Sequence, residues 1–182
     1  HVGTTIPELT GPLSCPFTIR CRFWRDSGLV GVEHFFYYEG DPDHDFIRRI
    51  GLGMTLASVD DDGTTTFGDY DGTDRTVPAD RTSGLHQATY NHYHLWQTNE
   101  DDTPETTHTG QRAAGWVDIS NNTDGVAFGI RSFPQQFEKA HHVDGKTGRI
   151  DAWLWPPEAQ TLDMRRYARE WGVGEGGYNE TP

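Results

Sequence analysis

Lysine is almost missing from this 182-residue chain: it occurs only at Lys139 and Lys146, and arginine supplies the remaining positive charge. Against 15 Lys and Arg stand 28 Asp and Glu, for a formal net charge of −13. That balance excludes a nucleic-acid partner, because nothing in it could neutralise a phosphate backbone. No apolar run approaches the ~20 residues of a membrane helix, and no signal peptide is visible, so no membrane partner is expected. Localisation stays open between extracellular and cytoplasmic. The two cysteines, Cys15 and Cys21, are six apart in an extended stretch. At ~3.3 Å per residue their Cα atoms stand ~20 Å apart, beyond disulfide reach, so both are expected as free thiols. Helical periodicity is scarce too, and only LDMRRYAREW could form a short helix.

The acidity has a particular form. Aspartate runs such as Asp60-Asp61-Asp62 stud the loops while lysine is scarce, a pattern that resembles adaptation to high salt, where screening removes self-repulsion. An ordinary acidic surface is the other reading. The abundant aromatics argue against disorder. The chain opens on His1 and closes on GGYNETP, as expected of one domain excised from a longer protein.

What is present is strand pattern. In PFTIRCRFWRD, Phe17, Ile19, Cys21 and Phe23 alternate with polar neighbours, and Asp26-Ser27-Gly28 supplies turn chemistry. With LVGVEHFFYYEG this predicts a hairpin over residues 16–39. IRRIGLGMTLASV reads as a third strand, WVDIS and VAFGIRSF as a second hairpin around NNTDG, and RIDAWLWP as a further strand. Strands joined by turns with little helix predict an all-β, antiparallel β-sandwich spanning residues 1–182. Between Val59 and Trp116 the periodicity fails, so residues 60–115 read as a long ordered insertion, with a possible strand over 85–97.

That segment carries TYNHYHLW, between His86 and His108. His92 and His94, two apart on a strand, would share a face in the manner of a metal-binding pair. Glu100 follows His94 by six, and no third ligand stands at a sensible spacing, so neither metal nor cofactor is expected. Acid/base chemistry is the alternative: Tyr90, His92 and His94 share parity while Tyr93 faces the other way, and a phenol beside an imidazole can shuttle a proton. Half-exposed strand residues with no chemistry remain the plainer reading. Arg112 precedes Trp116 where regular pattern resumes, and Arg131 interrupts the apolar strand VAFGIRSF, either as a ligand clamp or on the solvent face of a two-sided strand; a guanidinium clamps a carboxylate and an indole stacks on a sugar. Lys139, His141 and His142 form a small cationic cluster, read either as a strand end facing ligand or as a solvated turn. Trp153 and Trp155 are candidates for a sugar-binding face.

Several stretches carry a family resemblance: FTIRCRFWRDSGLVGVEHFFYYEGDPDHDFIRRIGLGM, GQRAAGWVDISNNTDGVAFGIRSFPQQFEKA, IDAWLWPPEAQTLDMRRY and EGGYNETP. Together they resemble the central β-sandwich domain of exo-rhamnogalacturonan lyases, polysaccharide lyase family 26. The resemblance implies a lyase-like super-sandwich of galactose-mutarotase type, placed between a β-rich domain and an (α/α) toroid. It implies as partners an acidic polysaccharide or oligosaccharide and neighbouring domains of the same chain. Uronate β-elimination on that basis would use Arg112 or Arg131 on the carboxylate, His92 or His94 as base, and Tyr90 or Tyr93 as acid. Trp116, His141, His142 and Trp155 would hold sugar. A non-catalytic sandwich that binds glycan or braces a catalytic neighbour is the alternative.

Overall fold

The alternation seen in the sequence becomes twelve strands in the computed structural model, which describes residues 15–41, 43–56, 63–163 and 165. The Asp60-Asp61-Asp62 run, LDMRRYAREW apart from Leu162, Asp163 and Arg165, and the closing GGYNETP lie outside the described residues. The chain divides into two units, His1–Phe46 with Asp163–Pro182, and Ile47–Leu162.

In the first unit β1 (Phe17–Phe23) and β2 (Val30–Phe36) form the expected antiparallel hairpin, paired from Phe17↔Phe36 to Phe23↔Val30. Its turn uses Asp26 in the left-handed region, at φ 57°, and the Ser27 hydroxyl accepts from the Leu29 amide at 3.0 Å. Cys15 and Cys21 are both free.

The second unit is the sandwich. Strands β4 (Thr64–Asp69), β5 (Arg75–Pro78), β9 (Ala113–Ser120) and β10 (Gly125–Gly129) form one antiparallel sheet in the order β10-β9-β4-β5. A second sheet runs β3-β12-β11-β6-β7-β8. It contains β3 (Ile50–Thr55), β6 (Thr82–Thr89), β7 (His92–Thr98), β8 (Pro104–Gly110), β11 (Lys139–Asp144) and β12 (Arg149–Trp155). Between the sheets lie Phe67, Val117 and Ile119 from the first and Leu85, Tyr93, Leu95, Val143 and Ile150 from the second, all nearly or fully buried. Burying each such side chain contributes roughly 1.5–3 kcal/mol before chain entropy is counted.

The stretch expected as a long ordered insertion, without strand periodicity except over 85–97, holds β4 to β8, and 85–97 itself falls on two strands, β6 and β7, joined by a turn. Its pattern was hidden because Thr65, Ser83 and Gln87 occupy fully buried, inward positions normally filled by aliphatic residues. Central β6 is also buried on both faces over Ser83–Gln87, which erases alternation. Gln87 meets every hydrogen-bonding demand of burial: its amide nitrogen donates to the Thr89 and Gln111 carbonyls, at 2.7 and 2.9 Å, and its oxygen accepts from the Ala113 amide at 2.9 Å. It thereby ties β6 to the first residue of β9 in the opposite sheet.

Candidate functional site

Strand β11 presents its two histidines to opposite sides, as a period of two requires. His141 points inward, 1% exposed, stacks on Phe133 at 5.1 Å, and sets its Nε2 3.0 Å from the Gly115 carbonyl. Gly115 is at φ 84°, and a Cβ there would fall 2.3 Å from Phe133, so glycine is required where this carbonyl turns toward His141. Burial pushes the His141 imidazole down to about 4, which keeps it neutral. His142 points outward, onto the open face of the six-stranded sheet.

Cross-strand register assembles that face. One row runs Trp153–Ala140–His86–His94, the next Asp151–His142–Gly84–Trp96. The indoles of Trp153 and Trp96 occupy the space above Gly51 and Gly84: a Cβ would meet Trp153 at 2.3 Å and Trp96 at 2.5 Å. Glycine at these two positions lets both rings lie against the sheet instead of standing off it. They flank His142, with ring centroids at 5.3 Å (Trp96) and 6.0 Å (Trp153).

His142 is held at both nitrogens. The Trp153 indole N–H donates to its Nδ1 at 3.2 Å, and Nε2 lies 2.6 Å from a Glu158 carboxylate oxygen. An indole is only a donor and an ionised carboxylate only an acceptor, so this geometry fixes the tautomer with hydrogen on Nε2. Burial pushes the Glu158 carboxyl up, but the His142 hydrogen bond and the nearby imidazoles outweigh it, leaving the group below its ordinary value. A second pair repeats the motif, with His86 Nε2 3.1 Å from Glu138. His86 is 4% exposed, and its Nδ1 is buried without a hydrogen-bond partner among the described residues. His94 packs edge-on against His86 at 5.1 Å; burial, then the neighbouring His86, hold it below its ordinary value. His94 is thus a neutral, half-buried imidazole, and its ring makes no hydrogen bond among the described residues. Beyond Trp153, the Arg49 guanidinium stands 5.8 Å over the indole ring. Among the described residues no three His, Cys, Asp or Glu side chains converge in metal-holding geometry.

Residues 72–181 match the family model for the PcRGLX-like protein central beta sandwich domain. The chain belongs to this family. The match takes in β5 to β12, and with them His86, His94, His142, both glutamates and both flattened tryptophans. The chain is also similar to Uncharacterized protein YetA of Bacillus subtilis (strain 168), with 34% identity over 61 residues. That stretch is 32% of this chain and 7% of YetA, so the likeness spans a small part of a much longer protein.

Within this member of the PcRGLX-like family the expected site residues separate. His94 and His142 come together on the sheet face. His92, the first residue of β7, shares the parity of His94 but is exposed at the strand end, and Tyr90 is 55% exposed in the β6–β7 turn. Tyr93 is a core residue, not a surface acid: it is fully buried, donates its hydroxyl to Asp69, and has its phenol pushed up to about 12, first by burial and then by that carboxylate. His141 is likewise internal, so it cannot contact sugar. Trp116 packs over Gly68 on the outer side of the four-stranded sheet, across the sandwich from His94. Arg112 is exposed between β8 and β9, with its carbonyl accepting from the Tyr70 amide at 3.1 Å. Arg131 is exposed beyond β10, and its carbonyl accepts from Lys139 at 3.3 Å. Trp155 ends β12, half-buried, its indole N–H donating 2.8 Å to the Gln160 carbonyl. The QQFEKAHHVDGK cluster is strand β11, not a solvated turn, and Lys139 is 5% exposed. Sequence reasoning passed over Glu138, Glu158, Trp96 and Arg49. Their common signal is position, since each sits on, or within three residues of, a strand of this sheet.

Proposed function

We propose that this central β-sandwich domain of a rhamnogalacturonan lyase-like protein contributes a sugar-facing sheet surface to cleavage of a uronate glycan by β-elimination. The observation that carries the reading is the cluster of Trp153, His142 and Trp96 across two adjacent rows, with His94 in the same row as Trp153. Two flattened indoles make a floor for a sugar ring, and imidazoles stand within the same rows. In β-elimination a base removes the C5 proton, the C5–H electrons form the C4–C5 double bond, and the C4–O bond breaks as the leaving oxygen takes a proton. His94 suits the base, being held below its ordinary value by burial and making no ring hydrogen bond among the described residues. His142 is committed to Trp153 and Glu158 and suits a positioning role.

The test uses the full-length protein on rhamnogalacturonan oligosaccharides, following ultraviolet absorbance of the unsaturated uronate. His94→Ala is expected to lower kcat by ~10²-fold or more. A non-catalytic, glycan-holding face is the second reading, favoured by the internal hydrogen bonds that occupy His142 and half of His86. It predicts that His94→Ala turns over normally while Trp96→Ala weakens oligosaccharide binding. No absorbance gain from the wild-type protein, with active control lyase alongside, overturns the elimination reading.

A further inference from the structure

We infer that Arg48 and Arg49 form the carboxylate-recognising end of this face, receiving the acid group of a uronic-acid residue; the inference rests on the glycan-facing reading above. The two arginines are consecutive and pinned at both sides. Ile47 exchanges backbone hydrogen bonds with Leu162, at 3.3 and 2.8 Å, and Ile50 opens β3. Between those anchors the chain sends Arg49 over the Trp153 ring at 5.8 Å and Arg48 into an open cleft of about 480 Å³. Pro157, Ala159, Gln160 and Thr161 line the rest of that cleft, so its wall is the same connection that carries Glu158 to His142.

In a chain of net charge −13, Arg22, Arg75, Arg81, Arg149 and Arg165 all pair with carboxylates. Among the described residues neither Arg48 nor Arg49 does, and both are exposed. Arg48 and Arg49 share this lack of a carboxylate partner with Arg20, Arg112 and Arg131, and differ from them in lying beside Trp153 and the 156–161 connection. Each unneutralised guanidinium of the pair offers a planar, two-pronged donor set for a carboxylate, one from the cleft and one from above Trp153. A cleft of this volume is within the range that holds one small ligand unit. The assignment replaces the Arg112 or Arg131 clamp expected from sequence.

Calorimetric titration of the full-length protein with trigalacturonate, and with the same trisaccharide after reduction of its carboxyls to neutral alcohols, tests it. The double variant Arg48→Gln with Arg49→Gln is expected to lose at least about ten-fold in affinity for the acidic sugar and to leave the neutral one unchanged. Equal losses for both sugars, or no loss for either, overturn the inference, with Trp96→Ala confirming that binding is on this face. Wild-type protein that binds neither sugar overturns the glycan-facing reading itself, and the inference with it. Both arginines are exposed, and unchanged thermal melts show that the variant folds.

Discussion

His141 should make this domain acid-sensitive, by an amount that follows from its burial. The native imidazole is held at about 4, against 6.5 for the unfolded chain. Its Nε2 faces the Gly115 carbonyl, and its Nδ1 is buried without a partner among the described residues. Protonation would therefore bury both a charge and an unsatisfied N–H. Between pH 6.5 and about 4 the unfolded chain binds this proton and the native one does not, so stability falls as pH falls through that window. The contribution is complete above pH 6.5. At about 1.4 kcal/mol per pH unit, the loss amounts to about 3 kcal/mol by pH 4. His94, also held low, adds in the same direction, and Glu158 acts only below its unfolded value near 4.5. Comparison with His141→Gln separates them, because the glutamine amide nitrogen can still reach the Gly115 carbonyl but does not titrate. The variant should be less stable at pH 7.5 by roughly 1–3 kcal/mol, having lost the Phe133 stack. That gap should close as pH approaches 4. Urea unfolding at successive pH values reads it directly, and parallel stability–pH curves for the two proteins would refute the reasoning.

Gly84→Ala places a Cβ 2.5 Å from Trp96 and 2.9 Å from His142, and should cost roughly 1–3 kcal/mol while shifting tryptophan fluorescence; a variant identical in melting and emission would show that the rings do not need the glycine. Tyr93→Phe removes the hydroxyl from Asp69 and should destabilise by roughly 1–3 kcal/mol near neutral pH. The wild type should also lose stability as pH rises from 10 towards about 12, since the unfolded phenol ionises first, and the variant should lack that limb in alkaline denaturation. Self-repulsion at net charge −13 should make the melting temperature rise from dilute buffer to molar potassium chloride, where screening acts over ~3 Å; an unchanged or lower midpoint would count against adaptation to salt.

The sandwich class and the two outer hairpins could be read directly because Phe17 to Phe23 and Val117 to Phe128 alternate apolar and polar residues with the period of a strand, although the apolar side of β1 is exposed and not the buried face that alternation predicts. Residues 60–115 could not, since their inward positions carry Thr65, Ser83 and Gln87, which earn burial through hydrogen bonds or small size, invisible to hydropathy. The same limit governed the site. Parity correctly separated His94 from Tyr93, yet nothing local distinguishes which side of β7 meets the opposite sheet. The neighbours of His94 come from register with β6 and β11, more than forty residues apart in the chain for His142. Trp116 and Arg112 are close in sequence to the expected site, but β9 belongs to the other sheet.

The back-to-back arrangement of His141 and His142 limits how such a site can change. Inserting or deleting one residue in β11 would exchange an internal histidine for a surface one and turn Lys139 and Val143 to the wrong sides together. The strands therefore act as a fixed frame in which the central histidine cannot be shifted without unseating the fold. Variation in ligand preference is left to the rims, through the connections at 131–138 and 156–161 that deliver Glu138 and Glu158, where length and composition can alter while the sheet keeps its register.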